Sequence, residues 1–232
     1  MWRIPVIFRN NGLVGLNVPS GFSSQSPGKT EIDLVSFMKA RNNGFGGLVH
    51  RIDKRTSGLH LVAENQAVLG SLMKGWKTLT KKYYLAVVPT PTWEEVVIAK
   101  EVVQRRQGQQ PRMLMAETGF LALQTVGDWT LVQCELRGTG RYHQIRQHAQ
   151  QLGLPLLGDT LYGGQRSSLR AGQFLHAWRM IVRHPLTNEK FRLQASLPED
   201  FRQLPGFDWD FWDHGASKTQ EVWNAPDRKA DL

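Results

Sequence analysis

The sequence predicts an α+β fold with a largely antiparallel sheet. Short apolar strands are joined by turn residues, helical patterns lie between them, and no repeat or low-complexity tract is present. A mixture of hairpins and interspersed helices is typical of this class. The 232 residues, 41% of them hydrophobic and 21% charged, suffice for one large domain or two modest lobes around a sizeable core.

The first forty residues predict a hairpin, a loop and a helix. Apolar strands at residues 6–8 and 13–18 are separated by the turn residues Asn10, Asn11 and Gly12. A loop rich in Pro, Gly and Ser follows from Pro19 to Gly28. Residues 31–40 then place most of their apolar side chains on one helical face.

The next segment, residues 48–65, has apolar ends and a charged middle. Its second end alternates as a strand does, because Leu59, Leu61 and Ala63 share one face. Residues 66–80 predict a helix, and residues 83–88 predict a buried strand. Residues 89–118 are basic and contain several prolines, so we predict irregular structure there.

The second half begins with a predicted hairpin. Residues 120–126 and 129–136 read as two strands joined at Gly127 and Asp128. Residues 140–153 predict a helix that is closed by a C-terminal glycine. The segment from residue 206 to residue 232 is acidic and aromatic without a sustained period, which predicts a surface extension.

The charge balance favours a polyanionic partner. The 29 Lys and Arg against 20 Asp and Glu give a net charge of +9, which suits nucleic acid first and an anionic membrane surface second. A basic protein without such a partner is an equally good reading of charge alone. The single cysteine, Cys134, excludes an intrachain disulfide framework. No apolar run reaches the roughly 20 residues of a membrane helix, so we expect a soluble protein of a reducing compartment.

Two candidate sites are rejected on spacing. The segment SPGKT at residues 26–30 resembles a phosphate loop, but Ser23 stands where such a loop needs a glycine. His143 and His148 lie five residues apart, about 140° around a helix, so they do not share the face that a metal pair requires. We therefore predict no metal and no nucleotide triphosphate.

The segment HRIDKRTSG concentrates charge inside an apolar stretch. Its Asp53 lies among Arg51, Lys54 and Arg55, and flanking cations hold a carboxylate ionised even where it is partly buried. Such a carboxylate is a competent nucleophile or base. A salt bridge within a loop is the plainer explanation, and charge pattern alone favours it.

Further residues suit RNA without requiring it. Tyr83 and Tyr84 have the ring type that stacks on an exposed base, although tyrosines in a strand are more often core. Arg141 and Arg146 suit binding to phosphate or pairing with a carboxylate. A solvated helix face is the usual explanation of such spacing.

Together these segments resemble the RluA type of pseudouridine synthase. The resemblance rests on HRIDKRTSGLHLVAEN, KYYLAVV and GTGRYHQIRQHAQQLGLPLLGDTLYGG, which occur in the family's order. The closing segments QFLHAWRMIVRHPLT and FRLQASLPEDF extend it, so that it covers about residues 5–202. Two departures are Tyr142, where the family usually has a small hydroxyl residue, and Val18, where a lysine is usual before the proline.

The resemblance implies an isomerase that converts specific uridines in structured RNA to pseudouridine. The family's catalytic aspartate falls on Asp53, its tyrosine on Tyr84 and its basic residue on Arg146. The target uridine must be flipped out of its stack. The carboxylate then acts at the sugar, by attack at C1′ or by taking the 2′ proton, and the sequence does not decide between these routes. The reaction needs no cofactor and no metal.

The resemblance also implies the residues that bind RNA. The further candidates for substrate binding are Arg51, Arg55, Arg141, His143, Gln144 and Ile145. Candidate phosphate contacts are Arg105, Arg106, Arg112, Arg137 and Arg141. The Arg146 guanidinium has two open roles, because it can pair with Asp53 or keep the flipped state open.

The implied architecture is the pseudouridine synthase fold, with a mixed, mainly antiparallel sheet, flanking helices and a central RNA-binding cleft. We expect a catalytic domain at residues 1–205 and a peripheral extension at 206–232. The match begins almost at Met1, so we expect no preceding RNA-binding domain. We expect a monomer in the cytoplasm, or in an organelle if the source is eukaryotic, acting on ribosomal or transfer RNA.

The alternative is a catalytically silent RNA-binding protein of the same fold that acts in ribosome assembly or RNA maturation. The joint presence of Asp53, Tyr84 and Arg146 argues against it.

Overall fold

The structure, a computed structural model, describes residues 4–25, 33–41, 45–104 and 110–214 of the 232. The strands are β1 Val6–Asn10, β2 Leu13–Val18, β3 Gly47–Leu48, β4 Ser57–Ala63, β5 Thr80–Pro89, β6 Glu95–Gln104, β7 Arg112–Val126, β8 Trp129–Arg137, β9 Leu175–Arg183 and β10 Lys190–Gln194. The helices are α1 Leu34–Lys39, α2 Gln66–Leu79, α3 Gln144–Gln151, α4 Glu199–Arg202 and α5 Trp209–His214, with a 3-10 turn at Thr160–Tyr162. In these ranges no helix is both long and apolar enough to cross a bilayer.

Within the described ranges the ten strands form a single sheet. Its main path runs β1-β2-β4-β9-β5-β8-β7-β6, while β3 pairs with β4 and β10 pairs with β9. Among the strand pairs of the described residues, only β4–β9 is parallel. The predicted α+β class with a mixed, mainly antiparallel sheet is therefore confirmed, as are both predicted hairpins.

Strand β4 is buried along its whole length, and β2 pairs along one of its edges while β9 and β3 pair at the start and end of the other. Leu59, Leu61 and Ala63 share one face and join the main core cluster. At the start of the strand, a Cβ on Gly58 would lie 2.2 Å from the carbonyl oxygen of Ala177 on β9. Because Gly58 also has a φ of +109°, only glycine permits this close parallel approach.

Helix α2 begins at the predicted position. The Asn65 side chain caps it by accepting a hydrogen bond from the Val68 amide at 2.9 Å. Val68, Leu72 and Trp76 are four residues apart and are the buried face of the helix. This helix packs over β4 and β5 and so fixes the strand that carries the predicted tyrosine motif.

The prediction of irregular structure for residues 89–118 is wrong for residues 95–104 and 112–118, which lie in strands, whereas residues 105–109 lie outside the described ranges. Strands β6 and β7 pair over ten residues of β6, and Ile98 and Val102 of β6 are buried. The side-chain Oε1 atom of Gln147 on α3 accepts a hydrogen bond from the Val103 backbone amide at 2.8 Å, and its Nε2 atom donates to the Val103 carbonyl oxygen at 3.1 Å. Strand β6 therefore depends on its pairing with β7 and on its contact with α3, and neither interaction is visible as a local sequence pattern.

The predicted helix at residues 140–153 is shorter than expected. His143 has a φ of +50°, in the left-handed region, so α3 begins only at Gln144. Arg141 therefore lies in the preceding loop, where its amide donates to the Gln144 Oε1 atom at 3.0 Å. The loop and the first turn of α3 are held together in this way.

The segment from residue 206 is not a surface extension in the part that is described. Trp209 and Trp212 of α5 are 6% and 5% exposed, and they pack in a core cluster with Trp178 and Phe201. Aromatic side chains that lack a helical period still bury large areas against an existing sheet. The domain boundary at residue 205 stays a prediction.

Candidate active site

A cleft of about 980 Å³ opens between the loop that precedes β4, strand β5 and the beginning of α3. Asp53 comes from the loop, Tyr84 from β5 and Arg146 from α3, and all three line this cleft. The fold therefore brings together the three residues to which the sequence assigned catalytic roles.

The loop that carries Asp53 is fixed on both sides. The Thr56 amide donates to the Asp53 carbonyl oxygen at 2.8 Å, which closes a tight turn. The Ser24 hydroxyl donates to the Ile52 carbonyl oxygen at 3.2 Å and accepts from the Ile52 amide at 3.1 Å. These bonds fix the loop so that the Asp53 carboxylate lines the cleft, with 24% of its side chain exposed.

Arg146 is shared between two carboxylates. Its Nε and Nη2 atoms donate to the two Asp159 oxygens at 2.6 and 2.7 Å, and its Nη1 atom donates to Asp53 Oδ2 at 3.3 Å. The ion pair between Asp53 and Arg146 that the sequence raised as one possibility is thus present. The bidentate partner, Asp159, was missed. The only signal is a carboxylate within the glycine-rich end of the third motif.

Asp53 is not held in its ionised form as firmly as the charge pattern predicted. Burial raises the pKa of its carboxyl, and this effect outweighs the opposing charge and hydrogen bond of Arg146. The negative charge of Asp159 raises the pKa further, and the positive charge of Arg51 lowers it by the smallest of these contributions. The flanking cations are therefore secondary, because burial and the groups on other elements dominate.

His143 lies against the same guanidinium. Arg146 Nη1 is 3.0 Å from His143 Nε2, and because arginine can only donate, this ring nitrogen accepts. The Nδ1 atom then carries the proton and faces the Tyr162 hydroxyl oxygen at 3.1 Å. The Tyr142 ring stacks on the imidazole with centroids 3.7 Å apart. His143 Nε2 is also 3.7 Å from Asp53 Oδ1, which places the imidazole ring beside the carboxylate.

Of the two adjacent tyrosines, Tyr84 lines the cleft and Tyr83 does not. Tyr84 is 8% exposed, and burial raises the pKa of its phenol, with a further contribution from the charge of Asp53. The phenol therefore stays protonated at neutral pH. In this state it can donate a hydrogen bond but cannot act as a base.

Most of the residues predicted to bind RNA lie along this cleft. The lining includes Arg51, Arg141, His143, Gln144 and Ile145 but not Arg55. The Arg55 carbonyl oxygen instead accepts from Arg170 Nη2 at 2.8 Å. The Gln144 amide nitrogen donates to the Glu117 carbonyl and the Thr118 hydroxyl, so it joins the loop to β7. Contacts of these residues with RNA stay predictions.

The candidate phosphate contacts divide into three groups. Arg137 forms ion pairs with Glu117 and Glu135, so its charge is already neutralised on β7 and β8. Arg112 and Arg141 are exposed. Residues 105 and 106 lie outside the described ranges.

Lys82 is a cleft residue that the sequence did not single out. Its side chain is buried, and its Nζ atom donates to the Gly138 carbonyl oxygen at 2.7 Å. Burial lowers the pKa of this ammonium to about 8. No group of three or more His, Cys, Asp or Glu side chains in the described ranges is arranged to hold a metal ion.

The sequence is similar to proteins that are named as pseudouridine synthases. Residues 13–151 match the family described as RNA pseudouridylate synthase. The chain is 33% identical over 217 residues to the uncharacterized RNA pseudouridine synthase YlyB of Bacillus subtilis, which covers 87% of this chain and 71% of that protein. It is 28% identical over 211 residues to the ribosomal large subunit pseudouridine synthase C of Rickettsia bellii, which covers 86% of this chain and 70% of that protein.

Solved structures share the fold. The human RNA pseudouridylate synthase domain containing 1 superposes with a TM-score of 0.68 at 24% identity and covers 84% of each chain. The human RNA pseudouridylate synthase domain containing 4 also gives a TM-score of 0.68, at 20% identity, and covers 85% of this chain and 90% of that one.

Proposed function

The chain belongs to the RNA pseudouridylate synthase family and is an RNA isomerase, and on this premise we propose that it flips a uridine of structured RNA into the cleft and isomerises it with Asp53 as the catalytic carboxylate. The observation that carries the proposal is the position of Asp53, which faces the same cleft as Tyr84 and receives a hydrogen bond from Arg146 at 3.3 Å. Ribosomal RNA is the favoured substrate, because a relative of 28% identity is named for the large ribosomal subunit. Transfer RNA is the second candidate.

In the proposed reaction, each bond that breaks is matched by one that forms. The C1′–N1 bond breaks, the uracil turns, a C1′–C5 bond forms, and the proton on C5 leaves while one is gained at N1. Asp53 acts at the sugar, either by attack at C1′ or by taking the 2′ proton. Both routes require the ionised carboxylate, so the rate rises as the pH passes upward through the pKa of Asp53.

Base flipping suits the dimensions of the cleft. Its volume of about 980 Å³ lies at the upper end of the range for small-molecule sites, which suits the entry of a flipped base. The Tyr84 ring forms part of the wall and offers a face on which the base can stack. Arg141 and Arg51 at the cleft carry positive charge toward the RNA backbone.

The decisive experiment measures tritium release. RNA labelled with 5-tritiated uridine is prepared from a strain in which the gene is deleted, so that the target uridine is unmodified. The purified protein should release tritium from this RNA, and pseudouridine mapping should show a site that is lost on deletion and restored by the gene. Binding of the RNA without tritium release and without a lost site would support the silent RNA-binding protein instead.

The Tyr84 hydroxyl and the Tyr84 ring can be tested separately. We expect Tyr84→Phe to bind RNA nearly as wild type and to react slowly, because the ring face remains while the hydroxyl is lost. Tyr84→Ala should also weaken base capture by about 1–3 kcal/mol. Tyr83→Phe is the matched control, since Tyr83 does not line the cleft. A silent Tyr84→Phe together with a damaging Tyr83→Phe would show that the wrong tyrosine is assigned.

The RNA affinity should depend strongly on salt. For Z phosphate contacts, the slope of log K against log salt is near −0.7Z on single strands. Arg141 is exposed at the cleft, so Arg141→Ala should make the slope shallower by about 0.7. Arg137→Ala is the control, because Arg137 is already paired with Glu117 and Glu135. Filter binding at four salt concentrations measures both, and equal slopes for Arg141→Ala and wild type would remove Arg141 from the phosphate contacts.

A further inference from the structure

We infer that Asp159 is a positioning residue of the reaction. It holds the Arg146 guanidinium by two contacts and weakens the electrostatic effect of that guanidinium on Asp53. The inference rests on the proposed role of Asp53. Its geometric basis is the unequal sharing of Arg146, with contacts of 2.6 and 2.7 Å to Asp159 but 3.3 Å to Asp53. A side-on bidentate contact fixes both the position and the plane of a guanidinium.

Asp159 is itself fixed by its backbone. Its amide donates to the Leu156 carbonyl at 3.0 Å, and its own carbonyl accepts from the Gly164 amide at 2.8 Å. A Cβ on Gly164 would lie 2.0 Å from the Leu156 carbonyl oxygen, so the loop closes too tightly for any side chain there. The Asp159 side chain is 1% exposed. This loop therefore presents the carboxylate in one place.

The remaining faces of the guanidinium meet the Tyr162 ring and the His143 imidazole. The Tyr162 ring centroid lies 5.0 Å from the central carbon of Arg146, and His143 Nε2 accepts from Nη1 at 3.0 Å. One positive charge thus serves two carboxylates. If both are ionised, Asp53, Arg146 and Asp159 together carry a net charge of −1, and Arg51 on the loop of Asp53 adds a positive charge nearby.

The charged and titratable groups around Asp53 come from several elements. They are Arg51 on its own loop, Arg146 and His143 at the start of α3, Asp159 and Tyr162 at the 3-10 turn, and Tyr84 on β5. Among these, Arg146 and Arg51 lower the pKa of Asp53, while Asp159 raises it. A carboxylate that is only partly paired is a stronger base and nucleophile than one that is held in a full bidentate pair.

The test is the pH–rate profile of Asp159→Asn for tritium release under single-turnover conditions. The asparagine keeps the shape and one acceptor but removes the negative charge, so Arg146 acts on Asp53 alone. The pKa of Asp53 then falls, and the acid limb of the profile should move to lower pH by about half a unit or more. The maximal rate should fall about tenfold, because the carboxylate is less basic and the guanidinium is no longer fixed in its plane.

Asp200→Asn is the matched control. Asp200 contacts Arg170 Nη1 through both oxygens, at 3.0 and 3.1 Å, in a second buried arginine pair that does not line the cleft. If Asp159 served stability alone, both variants would lower the melting temperature and leave the acid limb in place, and the inference would be overturned. A displaced limb for Asp159→Asn alone supports it.

A second variant decides the matter if Asp159→Asn does not fold. Asp159→Glu keeps the charge but adds a methylene, so the acid limb should stay near that of wild type while the maximal rate falls about tenfold at unchanged RNA affinity. A wild-type maximal rate for Asp159→Glu would overturn the inference. Wild type and Asp53→Asn are assayed in the same series. Full activity of Asp53→Asn would refute the proposed function itself and so separates the two failures.

Discussion

Asp53→Asn is expected to abolish isomerisation while the fold and RNA binding persist. The loss should reach at least about four orders of magnitude, as for other residues that supply the only nucleophile or base of a site. An amide can neither attack C1′ nor take the 2′ proton, and both routes begin from the Asp53 carboxylate. Tritium release from 5-tritiated RNA under single-turnover conditions measures the loss.

The fold of this variant should be at least as stable as wild type at neutral pH. The pKa of Asp53 is raised in the folded protein, so its ionisation opposes folding above the unfolded pKa. This penalty is absent at low pH and grows as the pH rises through the unfolded value. Asparagine removes it, so the melting temperature at pH 7 should not fall. Unchanged stability would show that lost activity is not lost structure.

A matched control is available on the surface. Asp128 lies exposed in the turn between β7 and β8, away from the cleft. Asp128→Asn should therefore release tritium at the wild-type rate. Appreciable turnover by Asp53→Asn would disprove the assignment of the catalytic carboxylate.

Arg146→Ala should have the second largest effect. It leaves Asp53 and Asp159 together without their shared counter-charge, and breaking a buried ion pair in this way costs about 3–5 kcal/mol of folding free energy. The pKa of Asp53 should rise further, because burial is no longer opposed by the guanidinium. The acid limb of the pH–rate profile should then move to higher pH, opposite to the shift expected for Asp159→Asn.

Two variants make this prediction specific. Arg146→Lys keeps a positive charge but cannot make the two-point contact with Asp159, so it should recover only part of the activity. Arg141→Ala should mainly weaken RNA binding and leave the pH dependence unchanged. If Arg146→Ala lowers the rate equally at all pH values and weakens RNA affinity as Arg141→Ala does, Arg146 serves the reaction as a phosphate contact and not through its charge on Asp53.

The sequence by itself determined the fold class, the family and the enzyme class. Local patterns of period two or 3.6 predict strand β4 and helix α2, and turn residues predict the hairpin at Gly127 and Asp128. The long motifs around Asp53 and Arg146 indicated the family, and the match over residues 13–151 confirms it. These features depend on residues close together in the chain, so they are visible without coordinates.

Only the tertiary structure decided how the site is charged. Asp159 lies 13 residues from Arg146, outside its helix, and the loop around Gly158 and Gly164 returns it to the guanidinium. The sequence expected flanking cations to hold Asp53 ionised, but burial by other elements raises its pKa instead. Desolvation and ion pairing depend on distances across the fold, and a local pattern of charges does not contain those distances.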